Sequence, residues 1–186
     1  HFRDFGSISE FQKQAQLQNA EVIQYELHSQ FRCNGSDGYL AWIRNMLQLE
    51  ETANFNFKDI SFDFRVIDDP NELRAMICEK NDESGKARIL AGYCWEWEKA
   101  GRSDPNHDDI VIGDFKMSWN LDAGDPYAIS QGSVHQVGCI HTTQGLEFDY
   151  VGVIIGEDLR YENNELVTDY RQRAKTDSSV KGLKKL

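Results

Sequence analysis

A run of six residues near the end of the chain constrains the fold more than any other segment. Residues 150–155 read Tyr-Val-Gly-Val-Ile-Ile, with no charged side chain and no alternation of polar and apolar positions. Such a run is typical of a central strand in a parallel sheet, where both faces are covered. The run therefore predicts a buried strand in an α/β protein.

The rest of the chain alternates between helical and strand patterns. Strands are predicted at 21–27, 60–66, 87–95, 137–141 and 150–155. Helices are predicted after Ser7, along the apolar stripe that begins at Tyr39, and from Pro70, which Asp69 precedes as a suitable N-cap. Strand–helix–strand alternation indicates an α/β domain with a mainly parallel sheet flanked by helices.

The length of 186 residues fits one domain. Residues 96–134 hold two of the three prolines and only a short strand-like stretch at 110–112, so we expect a loop-rich excursion within that domain. Because the first residue is His1 and no signal-peptide pattern follows, we expect the chain to begin inside a longer protein.

Charge and cysteine content exclude several classes of protein. Twenty basic against 31 acidic residues give a net charge of −11, which speaks against a stand-alone nucleic-acid binder. From Tyr170 onward, however, six basic residues accompany only Asp177. The four cysteines are widely spaced and no apolar run is long enough to cross a bilayer. We therefore expect a cytoplasmic protein with no metal site in this chain and no membrane partner.

The familiar catalytic motifs are absent. The sequence contains no GxxxxGK[ST], GxGxxG, GxSxG or HExxH. This chain thus lacks a recognisable phosphate-binding loop, dinucleotide site, hydrolase nucleophile or zinc-protease site.

A first candidate site follows the predicted strand 21–27. Gln30, Phe31 and Arg32 lie where the carboxyl end of a strand would place ligand-binding residues. Two interpretations are open. Phe31 stacks on a base while Arg32 binds a phosphate as a bidentate fork. Alternatively, Phe31 fills the core and Arg32 pairs with one of the many acidic residues.

A second candidate site, residues 139–150, connects two predicted strands. It holds His141, Thr142 and other polar side chains before Gly145, which permits close approach to the backbone. These groups suit contacts to phosphate or sugar. They also suit a capped turn in which His141 is a core residue with its hydrogen bonds satisfied.

Together the two segments resemble the second RecA-like domain of superfamily one helicases of the UvrD/Rep type. Residues 30–33 match motif four (Asn/Gln-Tyr/Phe-Arg-Ser), and residues 140–149 match motif five (His-x-x-Lys/Gln-Gly-Leu-Glu-Phe). Residues 30–40, 91–95 and 137–156 are similar to a narrower bacterial and archaeal DNA/RNA helicase-like family related to the Schlafen helicase region. The resemblance implies a RecA-like (P-loop NTPase-type) fold for residues 1–186, as the C-terminal lobe of a longer protein.

The resemblance also implies roles for individual residues. Gln30, Phe31, Arg32, Gly145 and Glu147 would bind nucleotide, with Phe31 against the adenine and Arg32 as the catalytic contact to the γ-phosphate. His141 and Thr142 would contact single-stranded DNA or RNA. ATP and Mg²⁺ would be bound mainly by an N-terminal RecA-like lobe of the same protein, and closure of the two lobes around the γ-phosphate would drive movement along the strand.

Departures from the superfamily pattern leave a second interpretation open. Gln144 replaces the commoner lysine, and no motif-six arginine is recognisable before Leu186. We therefore expect this polypeptide alone to lack ATPase activity. The alternative function is a non-catalytic module that keeps the RecA-like fold and binds nucleic acid or protein.

Overall fold

The structure is a computed structural model that describes residues 8–23, 36–53, 56–58, 60–121, 127–128 and 130–181. A parallel three-stranded sheet forms its centre. In chain order the strands are β1 (Ala87–Ala91), β2 (Ile110–Ile112), β3 (Phe115–Met117), β4 (Val137–Cys139), β5 (Tyr150–Ile154), β6 (Leu159–Glu162) and β7 (Glu165–Thr168). The sheet has the order β4-β1-β5, with Ile89 beside Val137 on one side and Gly152 on the other. The α/β class with a parallel sheet is thus confirmed.

The described residues include three α-helices: α1 (Ile8–Leu17), α2 (Asp37–Met46) and α3 (Pro70–Ser84). The predicted start of α3 is confirmed, because the Asp69 side chain accepts a hydrogen bond from the backbone N–H of Asn71 at 2.8 Å. The helix ends at Gly85, whose φ of 70° is the left-handed conformation that glycine adopts most readily.

The glycine within the apolar run allows α3 to pack closely on the sheet. A Cβ atom at Gly152 would lie 2.9 Å from Cδ1 of Leu73 and 3.1 Å from Cγ1 of Ile77. Both residues belong to α3, and Ile77 is buried. Gly152 is therefore the place in β5 where the helix approaches the backbone.

The core lies between this sheet, α3 and the segment around β3. Its fully buried members include Ile89, Phe115, Trp119 and Val137. Trp119 also forms a single parallel bridge with Val137, so residues 118–120 continue the sheet beyond β4. The excursion after β1 thus returns to the core.

A buried arginine, Arg88, occupies the second position of β1 and is 2% exposed. Its side chain donates five hydrogen bonds, and every acceptor is neutral. The acceptors are Ser133 Oγ, Asn81 Oδ1 and the carbonyl oxygens of Ala87, Ala128 and Ser130. Because a guanidinium has five N–H groups, this set satisfies all of them. Arg88 thereby joins β1 to the end of α3 and to the segment that leads into β4.

Two β-hairpins lie outside the central sheet. β2 pairs with β3 across a turn in which Gly113 has φ 60°, which confirms the strand predicted at 110–112. β6 pairs with β7 across Asn163 and Asn164, which both have positive φ (52° and 66°). We did not predict this second hairpin, although two consecutive asparagines are a signal for a two-residue turn of this kind.

One strand prediction is wrong, and a second is not confirmed in the part of it that the structure describes. Residues 60–66 form no strand, because Phe62 and Phe64 pack on α2 instead of joining a ladder. Phe62 stacks on Tyr39 at 4.0 Å and Phe64 meets Trp42 at 4.8 Å between ring centroids. Residues 21–23 are also not in a strand, and the remainder of the predicted strand 21–27 lies outside the described residues.

The described residues do not confirm the prediction of a central position for β5. Within the described sheet β5 is an outer strand. Gly152 and Ile154 are buried, whereas Val151, Val153 and Ile155 are 45%, 54% and 62% exposed. The run is apolar on both faces, but the described elements cover only one of them. Nowhere in the described ranges is a helix long and apolar enough to cross a bilayer.

Candidate functional site

Three loops meet at the carboxyl edge of the parallel sheet. They follow β1 (residues 92–97), β4 (residues 140–147) and β5 (residues 155–158). Ligands of open α/β sheets bind outside this edge, because the loops there are free to vary while the strands hold them in place. The second candidate site of the sequence is the loop after β4, and in the strand order β4-β1-β5 it lies beside the loop that follows β1.

The loop after β4 is held in a tight turn by one carbonyl group. The backbone oxygen of Cys139 accepts hydrogen bonds from the backbone N–H groups of Thr142 and Thr143 at 3.1 and 3.2 Å. It also accepts from both threonine hydroxyls at 3.1 Å. Thr143 is buried by this arrangement, whereas His141 and Thr142 are exposed. The turn therefore presents two polar side chains to solvent on a rigid base.

His141 rests on an aromatic stack that reaches into the core. Its ring lies 5.6 Å from that of Tyr93, which meets the buried Trp119 edge to face at 4.8 Å. Burial is the main cause that raises the pKa of Tyr93, with the neighbouring Cys139 adding to the shift. Because His141 is exposed, the interpretation of this residue as a core histidine is wrong.

Gly145 and Glu147 complete the same loop. Gly145 has φ 88°, which a residue with a side chain adopts only under strain, and a Cβ atom there would touch nothing within 4 Å. Glu147 is exposed. The structure thus brings four of the sequence-predicted site residues onto one exposed loop at the edge of the sheet.

A fourth segment reaches the same edge, which the sequence did not reveal. Residues 118–120 run beside β4, and the backbone N–H of Asn120 donates to the carbonyl of Val137 at 2.9 Å. The Asn120 side chain then lies 3.5 Å from the Thr142 hydroxyl. In the sequence, the only local indication that this segment reaches the sheet is a Trp followed by an Asn.

The loops after β1 and β5 are joined by a thiol. Cys94 donates from Sγ to Asp158 Oδ1 at 2.8 Å. Burial, followed by the hydrogen bond to Asp158, raises the pKa of the Cys94 thiol to about 11. Arg173 lies 3.7 Å from Asp158 and 2.9 Å from Asp177. Cys94 is thus a protonated donor that holds two loops together.

The basic segment after Tyr170 also returns to this edge. The backbone N–H of Ala174 donates to the carbonyl of Tyr93 at 2.8 Å. The Glu96 carboxylate accepts from the backbone N–H groups of Lys175 and Thr176 at 2.8 and 3.3 Å, and the bond from Lys175 is the main cause that lowers the pKa of Glu96. The segment is therefore docked beside the loop after β1.

The first candidate site, with Gln30, Phe31 and Arg32, lies outside the described residues. The roles assigned to these three residues stay predictions. Among the residues that the structure does describe, no group of three or more His, Cys, Asp or Glu side chains is arranged to hold a metal ion.

Comparison with known proteins gives one family and one curated relative. The family described as Schlafen group 3, DNA/RNA helicase domain, matches residues 1–186. An uncharacterized protein of the yeast Saccharomyces cerevisiae is 27% identical over 154 residues, an alignment that covers 74% of this chain and 33% of the yeast protein. The chain thus corresponds to about a third of that relative's length. No solved structure matches the chain.

Proposed function

Because the chain belongs to the family of Schlafen group 3 DNA/RNA helicase domains, we propose that it is the second motor lobe of an ATP-dependent DNA/RNA helicase or translocase. In this proposal it has a RecA-like fold and is the C-terminal lobe of a longer protein. An N-terminal RecA-like lobe of the same protein binds most of the ATP and Mg²⁺. The lobe formed by residues 1–186 supplies nucleotide-sensing residues and contacts to a single strand.

The observation that carries the proposal is the exposed loop at the carboxyl edge of the sheet. His141 and Thr142 project from a turn whose backbone is fixed by the carbonyl of Cys139. An exposed imidazole on a rigid base is a suitable donor to phosphate or sugar oxygens, and the Thr142 hydroxyl, whose proton is donated to the carbonyl of Cys139, presents its oxygen beside it. Gly145 and Glu147, four and six residues after His141 in the same loop, are the proposed contacts to the nucleotide. A single short loop would thus connect the strand and the nucleotide.

This connection is the basis of the proposed mechanism. Arg32 would reach the γ-phosphate from this lobe, while Phe31 and Gln30 hold the base. A γ-phosphate bound between two lobes favours closure, and its loss on hydrolysis releases them. Because Gly145 and His141 belong to one turn, a shift of the loop on nucleotide binding would move the strand contact with it. Repeated closure against a bound strand would be translocation.

A pair of histidines at opposite ends of β4 tests the strand contact. His141 follows β4 at the carboxyl edge, whereas His135, also exposed, precedes β4 at the other edge. In the full-length protein, His141→Ala should weaken binding of a fluorescent single-stranded oligonucleotide by about five- to tenfold, as expected for the loss of one hydrogen bond worth about 1–1.4 kcal/mol. His135→Ala should leave binding unchanged. Equal affinities of the two variants would contradict the proposed contact.

The second candidate function is a non-catalytic interaction module with the same fold. The observations that favour it are the net charge of −11 and the pairing of Arg173 with Asp158 and Asp177, which neutralises part of the basic segment. Such a module would bind its partner without ATP turnover, and Arg32→Ala would change partner binding but not hydrolysis.

A further inference from the structure

Asn120 lies at the carboxyl edge of the sheet, and it belongs neither to the sequence motifs nor to the proposed nucleotide site. We infer that its side-chain amide is a third contact to the sugar–phosphate backbone of a nucleic-acid strand, beside His141 and Thr142. This inference rests on the proposed function and extends it to a residue outside the helicase motifs.

The position of Asn120 is fixed by its neighbours. Trp119 is fully buried, and its backbone N–H donates to Asp109 Oδ2 at 2.8 Å. The next N–H, that of Asn120, donates to the carbonyl of Val137 in β4. Two hydrogen bonds thus hold the backbone at Trp119 and Asn120, although the Asn120 side chain is only half-buried. A polar group on such a support loses little entropy when it binds a ligand.

The side-chain amide has donors that the described protein does not use. Its one hydrogen-bond partner among the described residues is the Thr142 hydroxyl, at 3.5 Å from Oδ1. That hydroxyl has a single proton and lies nearer to the carbonyl of Cys139, at 3.1 Å. The contact to Asn120 is therefore the weaker of the two. Both N–H groups of the amide remain available for a ligand oxygen.

The location of these donors matches the proposed strand contact. Thr142 is itself one of the proposed contacts, and Asn120 lies directly beside it on the neighbouring segment of the sheet. Asparagine side chains are common donors to phosphate and sugar oxygens. Two segments of the sheet would then hold the same stretch of backbone, and this would fix its direction across the edge.

A simpler role for Asn120 is conformational. Its φ is 53°, and asparagine tolerates this left-handed conformation better than most residues. This role and the binding role make different predictions. Glycine adopts this backbone conformation readily but has no side-chain amide. Aspartate also tolerates the backbone and accepts from Thr142, but it places a negative charge where the strand would lie.

The β6–β7 turn provides a matched control. Asn163 has the same residue type and nearly the same φ, 52°, and it is exposed in a hairpin that does not belong to the parallel sheet. Asn163→Asp therefore introduces the same charge in the same backbone conformation away from the proposed contact.

The experiment measures binding of fluorescent single-stranded DNA and RNA oligonucleotides to the full-length protein and its variants. Asn120→Asp should weaken binding about tenfold and Asn120→Gly about threefold, consistent with the loss of one hydrogen bond and the addition of one like charge. The Asn120→Asp defect should shrink as salt is raised, because the repulsion is screened. Asn163→Asp should bind like the wild type.

Each outcome decides one claim. If the wild type binds and Asn120→Asp matches Asn163→Asp, the inference fails while the proposed function stands. If the wild type binds neither oligonucleotide, the strand-binding part of the proposed function fails and the inference fails with it. Thermal unfolding checks that each variant is folded. Should Asn120→Asp not fold, Asn120→Gly decides, and wild-type affinity of that variant overturns the inference.

Discussion

Replacing the buried Arg88 should show that the fork shape of its side chain, and not its charge, stabilises the fold. In Arg88→Met, three acceptors lose the guanidinium as a donor: Asn81 Oδ1, Ser133 Oγ and the carbonyl of Ala128. At about 1 kcal/mol for each lost hydrogen bond, the free energy of unfolding falls by roughly 3 kcal/mol.

Part of this loss is offset, because burial disfavours the charged guanidinium and lowers the pKa of Arg88, and methionine carries no such charge. A net loss of about 2–3 kcal/mol remains, which corresponds to a fall in Tm of roughly 5–10 °C for a domain of this size. Arg88→Lys keeps the charge but has three donors instead of five. It should therefore destabilise the protein by at least about 2 kcal/mol, nearly as much as methionine does.

Urea unfolding followed by circular dichroism measures these changes, and Arg65 provides the control. Arg65 also makes two hydrogen bonds through its guanidinium, to Asp63 at 2.9 Å, but its side chain is exposed. Arg65→Met should unfold at the wild-type urea concentration. The reasoning would be refuted if Arg88→Met unfolded like Arg65→Met, or if Arg88→Lys kept the full stability of the wild type.

Two further predictions concern packing and pH. Gly152→Ala should lower the free energy of unfolding by about 1–3 kcal/mol in urea titrations, because the new methyl group would collide with Leu73 of α3. Gly132→Ala is its control, because a Cβ atom there meets nothing within 4 Å. The hydrogen bond from Arg171 is the main cause that lowers the pKa of Asp169 from 3.8 to about 2, so its stabilising effect is present above pH 4 and is lost as the pH falls towards 2. The difference in Tm between the wild type and Asp169→Asn should shrink over that interval, and a constant difference would show that the ion pair does not stabilise the folded state.

Local sequence signals predicted the elements whose first turn or apolar centre is determined by residues that are neighbours in the sequence. Asp69 and Pro70 define the first turn of α3 because a cap and a fixed φ act within that turn. The strands at 87–91 and 137–139 were predicted to extend too far, to residues 95 and 141, because the apolar pattern continues into the edge loops.

Properties that depend on distant partners could not be predicted. The alternation at 60–66 fits a strand, but the aromatic side chains of α2 offered Phe62 and Phe64 a different partner. Likewise, the apolar run in β5 indicates burial but does not give the position of the strand in the sheet. The burial of Arg88 depends on acceptors up to 45 residues away, so no local pattern could reveal it.

The candidate site was predicted in part. Motif five located the loop with His141, Thr142, Gly145 and Glu147, because these residues are neighbours in the sequence. Asn120 reaches the same edge through the bridge between Trp119 and Val137, a contact that only the fold creates.

The most direct test of the proposed function is strand-stimulated ATP hydrolysis by the full-length protein with and without Arg32→Ala. The proposal predicts magnesium-dependent turnover that rises on addition of single-stranded DNA or RNA and falls by about 10³-fold or more in the variant, as for an arginine that contacts the transferred phosphoryl group. Residues 1–186 alone should show no turnover. Turnover that is unchanged in Arg32→Ala would contradict the proposed motor role of this lobe.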